Sequence, residues 1–120
     1  MAVGNMAFIS HYNFQFLDSC PYKENDKFDV TFHNSDIHPI DVKTFYPIEE
    51  VMRQNLSSEN EITVSTSFTH LWTFVISGTK ERLTVNRNGL TSHVFEGCKF
   101  GAKPNQRIIV YIYGGKNSKT

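Results

Sequence analysis

The sequence predicts an all-β chain, a seven- to eight-stranded antiparallel β-sandwich, with one short helical segment at 47–54 as the exception. Three observations carry that reading. Apolar residues recur at every second position in short runs, as they do where one face of a strand is buried and the other meets water. The runs follow one another at a spacing of roughly 8–12 residues, as in sandwiches and barrels. Turn-forming residues separate them.

The first candidate strand is Asn13–Leu17, with Phe14 and Phe16 on one face. Phe28, Val30 and Phe32 then alternate with Asp29, Thr31 and His33, and Ile40–Phe45 follows. Pro47-Ile48-Glu49-Glu50-Val51-Met52-Arg53-Gln54 breaks the alternation. Pro at a first helical position and acids in the first turn favour a helix start. Ile48, Val51 and Met52 share one helical face, so one or two helical turns fit; a long loop bridging two sheets fits as well.

The run Ile62–Ile76 places Ile62, Val64, Thr66, Phe68, His70, Trp72, Phe74 and Ile76 on one parity, hence on one side of an extended chain. It is longer than the usual strand of ~3–10 residues. A bend near Phe68-Thr69 therefore divides it into Glu61–Ser67 and Leu71–Ser77. Ser77-Gly78-Thr79-Lys80 lies at hairpin distance from Arg82–Asn86. Asn88-Gly89 suits a turn with positive φ at its centre and leads to Ser92–Glu96. Pro104-Asn105 precedes Arg107–Tyr113, which is apolar on both faces, as a central strand is.

The chain has 120 residues, enough for one domain spanning 1–120, with flexible ends expected at 1–12 and 114–120. Hydrophobic residues make up 39% and aromatics 13%, with ten Phe, which excludes a disordered chain. No apolar run approaches the ~20 residues of a membrane-spanning helix. Twelve bases balance twelve acids, which argues against a nucleic-acid partner. The balance hides a split: residues 1–61 sum to −6 and residues 62–120 to +6, with no charge between Glu61 and Lys80.

The first ten residues show neither a basic region nor an apolar stretch of signal-peptide length, so the expected location is cytoplasmic or nucleocytoplasmic. Cys20 and Cys98 are then expected as thiols rather than a bridge. A signal peptide removed upstream would reopen that reading, together with the sequon Asn55-Leu56-Ser57.

The even face of Ile62–Ile76 is apolar except for Thr66 and His70, which stand beside Trp72, the only Trp in the chain. Two readings follow. Both polar groups are satisfied within the core edge, as buried polar groups normally are. Alternatively, they line a shallow polar pocket with an indole floor that accepts a small polar ring or an extended peptide. Catalysis has no support: HExxH, Cys-x-x-Cys, Gly-x-Ser-x-Gly and a phosphate-binding Gly loop are all missing from the sequence. No catalytic residue, cofactor or metal is assigned. His33 and His38 flank a loop and would need a third ligand to hold a metal. The late bases Lys99, Lys103, Arg107, Lys116 and Lys119 read as a solvated face, or as a basic edge for an acidic peptide or RNA.

Thr69-His70-Leu71-Trp72-Thr73-Phe74, then Gly78-Thr79 and Leu83-Thr84-Val85-Asn86, resemble the β-domain of the von Hippel–Lindau tumour suppressor family. Val30-Thr31-Phe32-His33-Asn34 resembles that family's early Phe-x-Asn strand. The similarity covers about residues 25–112 and is densest over 69–86. It implies a seven-stranded sandwich with a peptide-docking face, where a hydroxylated proline of a hypoxia-inducible factor peptide is held by a Ser, a His and a Trp during substrate recognition by a ubiquitin ligase. Carried over by position, His70 and Trp72 match and Thr66 stands in place of the Ser. Ser65 and Ser67 occupy positions where the family has His and Tyr, and Val42 the position of a second-strand Trp. For the family's pocket Tyr, Tyr46 is nearby, and Met52 or Arg53 falls closer by count. The family's helical domain, which binds elongin C, has no counterpart here, so elongin C is not an expected partner of this chain alone.

The expected function is thus a non-enzymatic protein-interaction module that binds an extended, prolyl-hydroxylated peptide through Thr66, His70 and Trp72, with Ser65, Ser67, Val42 and Tyr46 around them. The alternative is a structural or oligomer-forming sandwich without such a pocket. A small hydrolase or metal enzyme ranks last.

Overall fold

The computed structural model of the chain describes residues 20–114, so the strand expected at Asn13–Leu17 and the expected flexible ends, Gly114 apart, lie outside the described residues. Within them no residue is helical. The backbone is paired through β1 (Lys27–Asn34), β2 (Ile40–Tyr46), β3 (Glu50–Leu56), β4 (Glu61–Ser67), β5 (Leu71–Ile76), β6 (Thr84–Arg87), β7 (Leu90–Ser92) and β8 (Arg107–Tyr113). They make a five-stranded sheet, β4-β1-β8-β6-β7, and a three-stranded sheet, β3-β2-β5. The fold is all-β.

The period-two reading holds in β1, where Phe28, Val30 and Phe32 point into the core. The divided run is also borne out: β4 ends at Ser67, β5 begins at Leu71, and the two halves belong to different sheets. Asn88 and Gly89 both take positive φ (53° and 88°) in the β6–β7 turn, as their residue types allow.

Four expectations are corrected. The sheet is not wholly antiparallel, because β1 runs parallel to β8, with Val30 opposite Ile108 and Phe32 opposite Val110. Parallel neighbours need a long crossover, and here the whole of β2–β7 intervenes. Second, residues 50–56 form strand β3 paired with β2, not a helix. Ile48, Val51 and Met52 stay 67%, 44% and 45% exposed, so the helical stripe they suggested has no core to meet, whereas pairing with β2 satisfies the backbone. Third, Ser92–Glu96 is not a strand: β7 stops at Ser92 and Phe95 makes one isolated bridge to Trp72. Fourth, β8 is central, but only one of its faces is buried; Ile109 and Tyr111 remain exposed on the other.

One core cluster draws side chains from both sheets. Phe32 of β1 stands at its centre. Its ring lies 5.1 Å from Trp72, 5.0 Å from Phe74 and 5.5 Å from Phe95, in the tilted or edge-on arrangements that aromatic quadrupoles favour.

A polar hub closes one end. Asn34 is fully buried and donates to the carbonyls of His38 and Leu56, while its side-chain oxygen accepts from the Asp36 N–H. The buried Asp36 carboxylate accepts from the N–H groups of His38 and Gly114 and from the His38 ring. Burial alone would raise the Asp36 pKa, but these hydrogen bonds and the His38 charge outweigh it and hold the carboxyl below its ordinary 3.8. The hub ties the ends of β1, β3 and β8 to the start of β2.

Cys20 and Cys98 form a disulfide, which corrects the expectation of two thiols. Their Cα atoms are 5.7 Å apart across a separation of 78 residues. Such a separation gives no sign of contact in the sequence. The packing of Tyr22 on Phe68, with ring centroids 4.5 Å apart, brings the early segment to the loop that follows Phe95.

Two predictions follow from the hub and the bridge. Asp36 binds a proton less readily when folded than when unfolded. Its stabilising contribution is therefore complete above the ordinary carboxyl range and is lost as pH falls through the lowered folded value. Urea titrations of wild type should show this acid-side loss, and Asp36→Asn should flatten it while costing about 1–3 kcal/mol at neutral pH. Cys98→Ser should lower unfolding free energy by about 2–4 kcal/mol.

Candidate functional site

Trp72 lies in β5 and is only 2% exposed. Its backbone exchanges hydrogen bonds with Phe95, at 3.0 and 2.9 Å. Burying an indole N–H without an acceptor costs about 1–3 kcal/mol. Thr66 Oγ1, on β4 in the other sheet, accepts it at 3.1 Å. The Thr66 hydroxyl proton is then free to be donated, and His70 Nδ1 lies 3.4 Å away. With Nδ1 as acceptor the imidazole carries its proton on Nε2, which has no partner among the described residues. Burial, and secondarily the Lys27 charge, push the His70 pKa below its ordinary 6.5, so the ring is neutral at pH 7.

The turn between β4 and β5 sets His70 at this position. Ser67 Oγ donates to the Glu24 carbonyl and accepts from the Thr69 N–H, and the His70 N–H donates to the Ser67 carbonyl. Ser67 therefore holds the turn.

A pocket of about 190 Å³ opens beside His70. Trp72, Pro47, Ile48, Met52 and Val64 supply apolar wall, and Thr44, Glu50, Ser65 and His70 supply polar groups. It lies between the edge strands β3 and β4, which belong to different sheets and do not pair with one another. Thr44 Oγ1 donates to the Ile48 carbonyl at 2.8 Å and so secures the rim. A second depression, of about 400 Å³, shares Pro47 and His70 and continues past Tyr46, Ser67, Thr69 and Lys27.

The structure sorts the residues singled out from sequence. His70, Trp72 and Ser65 line the pocket. Thr66 is buried behind it, at 2% exposure, with its oxygen occupied by the indole. Val42 is fully buried in the core opposite Phe74 and reaches no surface, a correction to its placement in the site. Tyr46 and Ser67 border the second depression instead. Of the two residues that fall closer by count to the family's Tyr, Met52 lines the pocket and Arg53 does not. Thr44, Pro47, Ile48, Glu50 and Val64 were missed. Three of them, Pro47, Ile48 and Glu50, come from the segment 47–54, whose reading as a helix hid that it forms a wall. His33 and His38 do not converge: His33 meets Glu59 and Glu61, and His38 meets Asp36.

Removing the acceptor tests the geometry. Thr66→Val should destabilise the fold by about 1–3 kcal/mol and shift the fluorescence of Trp72, whereas Thr66→Ser, which keeps the oxygen, should retain most of the stability in the same denaturation experiment.

No family model matches this sequence, and no curated protein matches it. The chemistry of the groove therefore carries the functional argument.

Proposed function

We propose that the two sheets form a von Hippel–Lindau β-domain-like sandwich and that the chain is a non-enzymatic interaction module for an extended peptide. The observation that carries this reading is the groove between two unpaired strand edges, β3 and β4, with an indole wall and one polar corner at His70 and Ser65. A free edge supplies backbone donors and acceptors for an added strand, and the adjoining pocket selects a side chain. The core shared by the two sheets and the Trp72–Thr66 bond between them support the sandwich.

The pocket suits a compact ring with a polar tip. Its apolar walls would pack against the ring of a proline, and the 4-hydroxyl of a hydroxylated proline would find His70 Nε2–H as donor and Ser65 Oγ as a second partner. Thr66 is not offered to the ligand, because its hydroxyl serves the indole and His70. A proline without the hydroxyl would leave these groups desolvated and unpaired, which is the physical basis for discrimination. The proposal covers the β-domain alone and not the elongin C contact, which the family makes through its helical domain.

A second reading, an oligomer-forming sandwich, draws on the same edges: Ile48, Val51 and Met52 are exposed on or beside β3 and could be covered by another copy.

Calorimetric titration with matched proline and 4-hydroxyproline peptides separates the two. The hydroxylated peptide should bind more tightly by about 1–3 kcal/mol, and His70→Ala should erase the difference. No binding by either peptide, with concentration-dependent association in sedimentation, would replace the first reading with the second.

A further inference from the structure

The loop after Phe95 holds a group that the peptide-binding proposal does not use. Glu96 is 1% exposed. One carboxylate oxygen, Oε1, accepts the Lys99 N–H at 3.0 Å. The other, Oε2, is buried and has no hydrogen-bond partner. Buried polar atoms are normally paired, so an unpaired one marks a place where an ion or water can act. Sulfur lies close to the same carboxyl group: one carboxylate oxygen of Glu96 and the Sγ atoms of Cys20 and Cys98 all lie within 4.8 Å of one another.

We propose that Cys20, Cys98 and Glu96 form a redox-gated zinc site. In the oxidised chain the two sulfurs are bonded to each other and cannot act as thiolate ligands. A dithiol reductant breaks the S–S bond: two electrons and two protons pass to the protein, giving two thiols, and the reductant becomes a disulfide. Zn²⁺ then displaces the two thiol protons to solvent and takes two thiolates and one carboxylate oxygen, leaving a fourth tetrahedral position for water.

The surroundings suit this chemistry. Both cysteines are partly exposed, and an open pocket of about 480 Å³ leads to Cys98, which gives the reductant and the ion a path. Two thiolates, one carboxylate and Zn²⁺ leave one net negative charge, and Lys99 and Lys103 on the pocket wall offset it. The loop is also held in place between the prospective ligands. A Cβ on Gly97 would come within 2.7 Å of the Phe28 ring, so Glu96 and Cys98 are carried on a segment seated directly against the core. The ion would restore the covalent tie between the early segment and this loop. That matters in a reducing compartment, where disulfides are rare.

The experiment uses the full chain, reduced with a phosphine and titrated anaerobically with Zn²⁺ by calorimetry and with Co²⁺ by absorption. The reduced chain should take up one equivalent of Zn²⁺, and Co²⁺ should give thiolate charge-transfer and tetrahedral bands. The oxidised chain should take up none. Glu96→Gln, its folding checked in the oxidised form where the disulfide persists, should weaken binding at least about tenfold, by analogy with the loss of outer-shell partners at such sites. The double variant Cys20→Ser, Cys98→Ser should not bind. Failure of the reduced wild type to take up Zn²⁺, folded or unfolded, overturns the proposal; so does equal uptake by the oxidised chain, or unchanged affinity in Glu96→Gln.

Discussion

The buried indole N–H of Trp72 is the constraint on which the rest of the structure turns. A tryptophan placed against Phe32 at the centre of the core brings a large apolar surface and one donor that water cannot reach. Its acceptor, Thr66 Oγ1, lies six residues earlier, and a sharp turn at 68–70 is what returns the chain to it. Because Thr66 is on β4 and Trp72 on β5, the one hydrogen bond joins strands of different sheets. It also leaves the Thr66 hydroxyl proton within reach of His70 Nδ1, and with Nδ1 as acceptor the imidazole carries its proton on Nε2. Core packing, the link between the sheets and the donor at the groove are consequences of satisfying a single buried group.

The groove exists because the two sheets stay open along one side. β4 pairs only with β1, and β3 only with β2, so each leaves an unpaired edge. Proteins commonly protect such edges, since they invite another strand. Here the gap between them is lined rather than filled, with the exposed Ile48 and Met52 on one side and Val64 on the other. The polar hub at Asn34 and Asp36 works in the opposite sense. It gathers strand ends at which several backbone groups would otherwise be buried unpaired.

Much of the strand pattern was legible because alternation is a local property. β4 and β8 coincide with the segments read from parity, and β1 and β2 differ by a residue at their ends. The segment 47–54 misled for a physical reason. Its Pro, its early acids and its three apolar residues satisfy helix rules over two turns, but a short helix needs a core to cover its stripe, and β2 offers pairing instead. The site was legible in part on the same principle. Polar residues interrupting an apolar face pointed to Thr66 and His70, and both are coupled to Trp72. Parity could not tell which of them faces a ligand, because that depends on which hydroxyl the indole claims.

The sequence by itself determined the all-β class, the division of Ile62–Ile76 into two strands and the cluster of Thr66, His70 and Trp72. These follow from side-chain period, turn chemistry and the proximity of residues a few positions apart. Only the tertiary structure decided the parallel pairing of β1 with β8, the wall that β3 contributes to the groove, the burial of Val42, and the meeting of Cys20 with Cys98 and Glu96. Each of these joins segments far apart in the chain. Local propensity carries no information about such contacts, and the need to bury one shared aromatic core selects them.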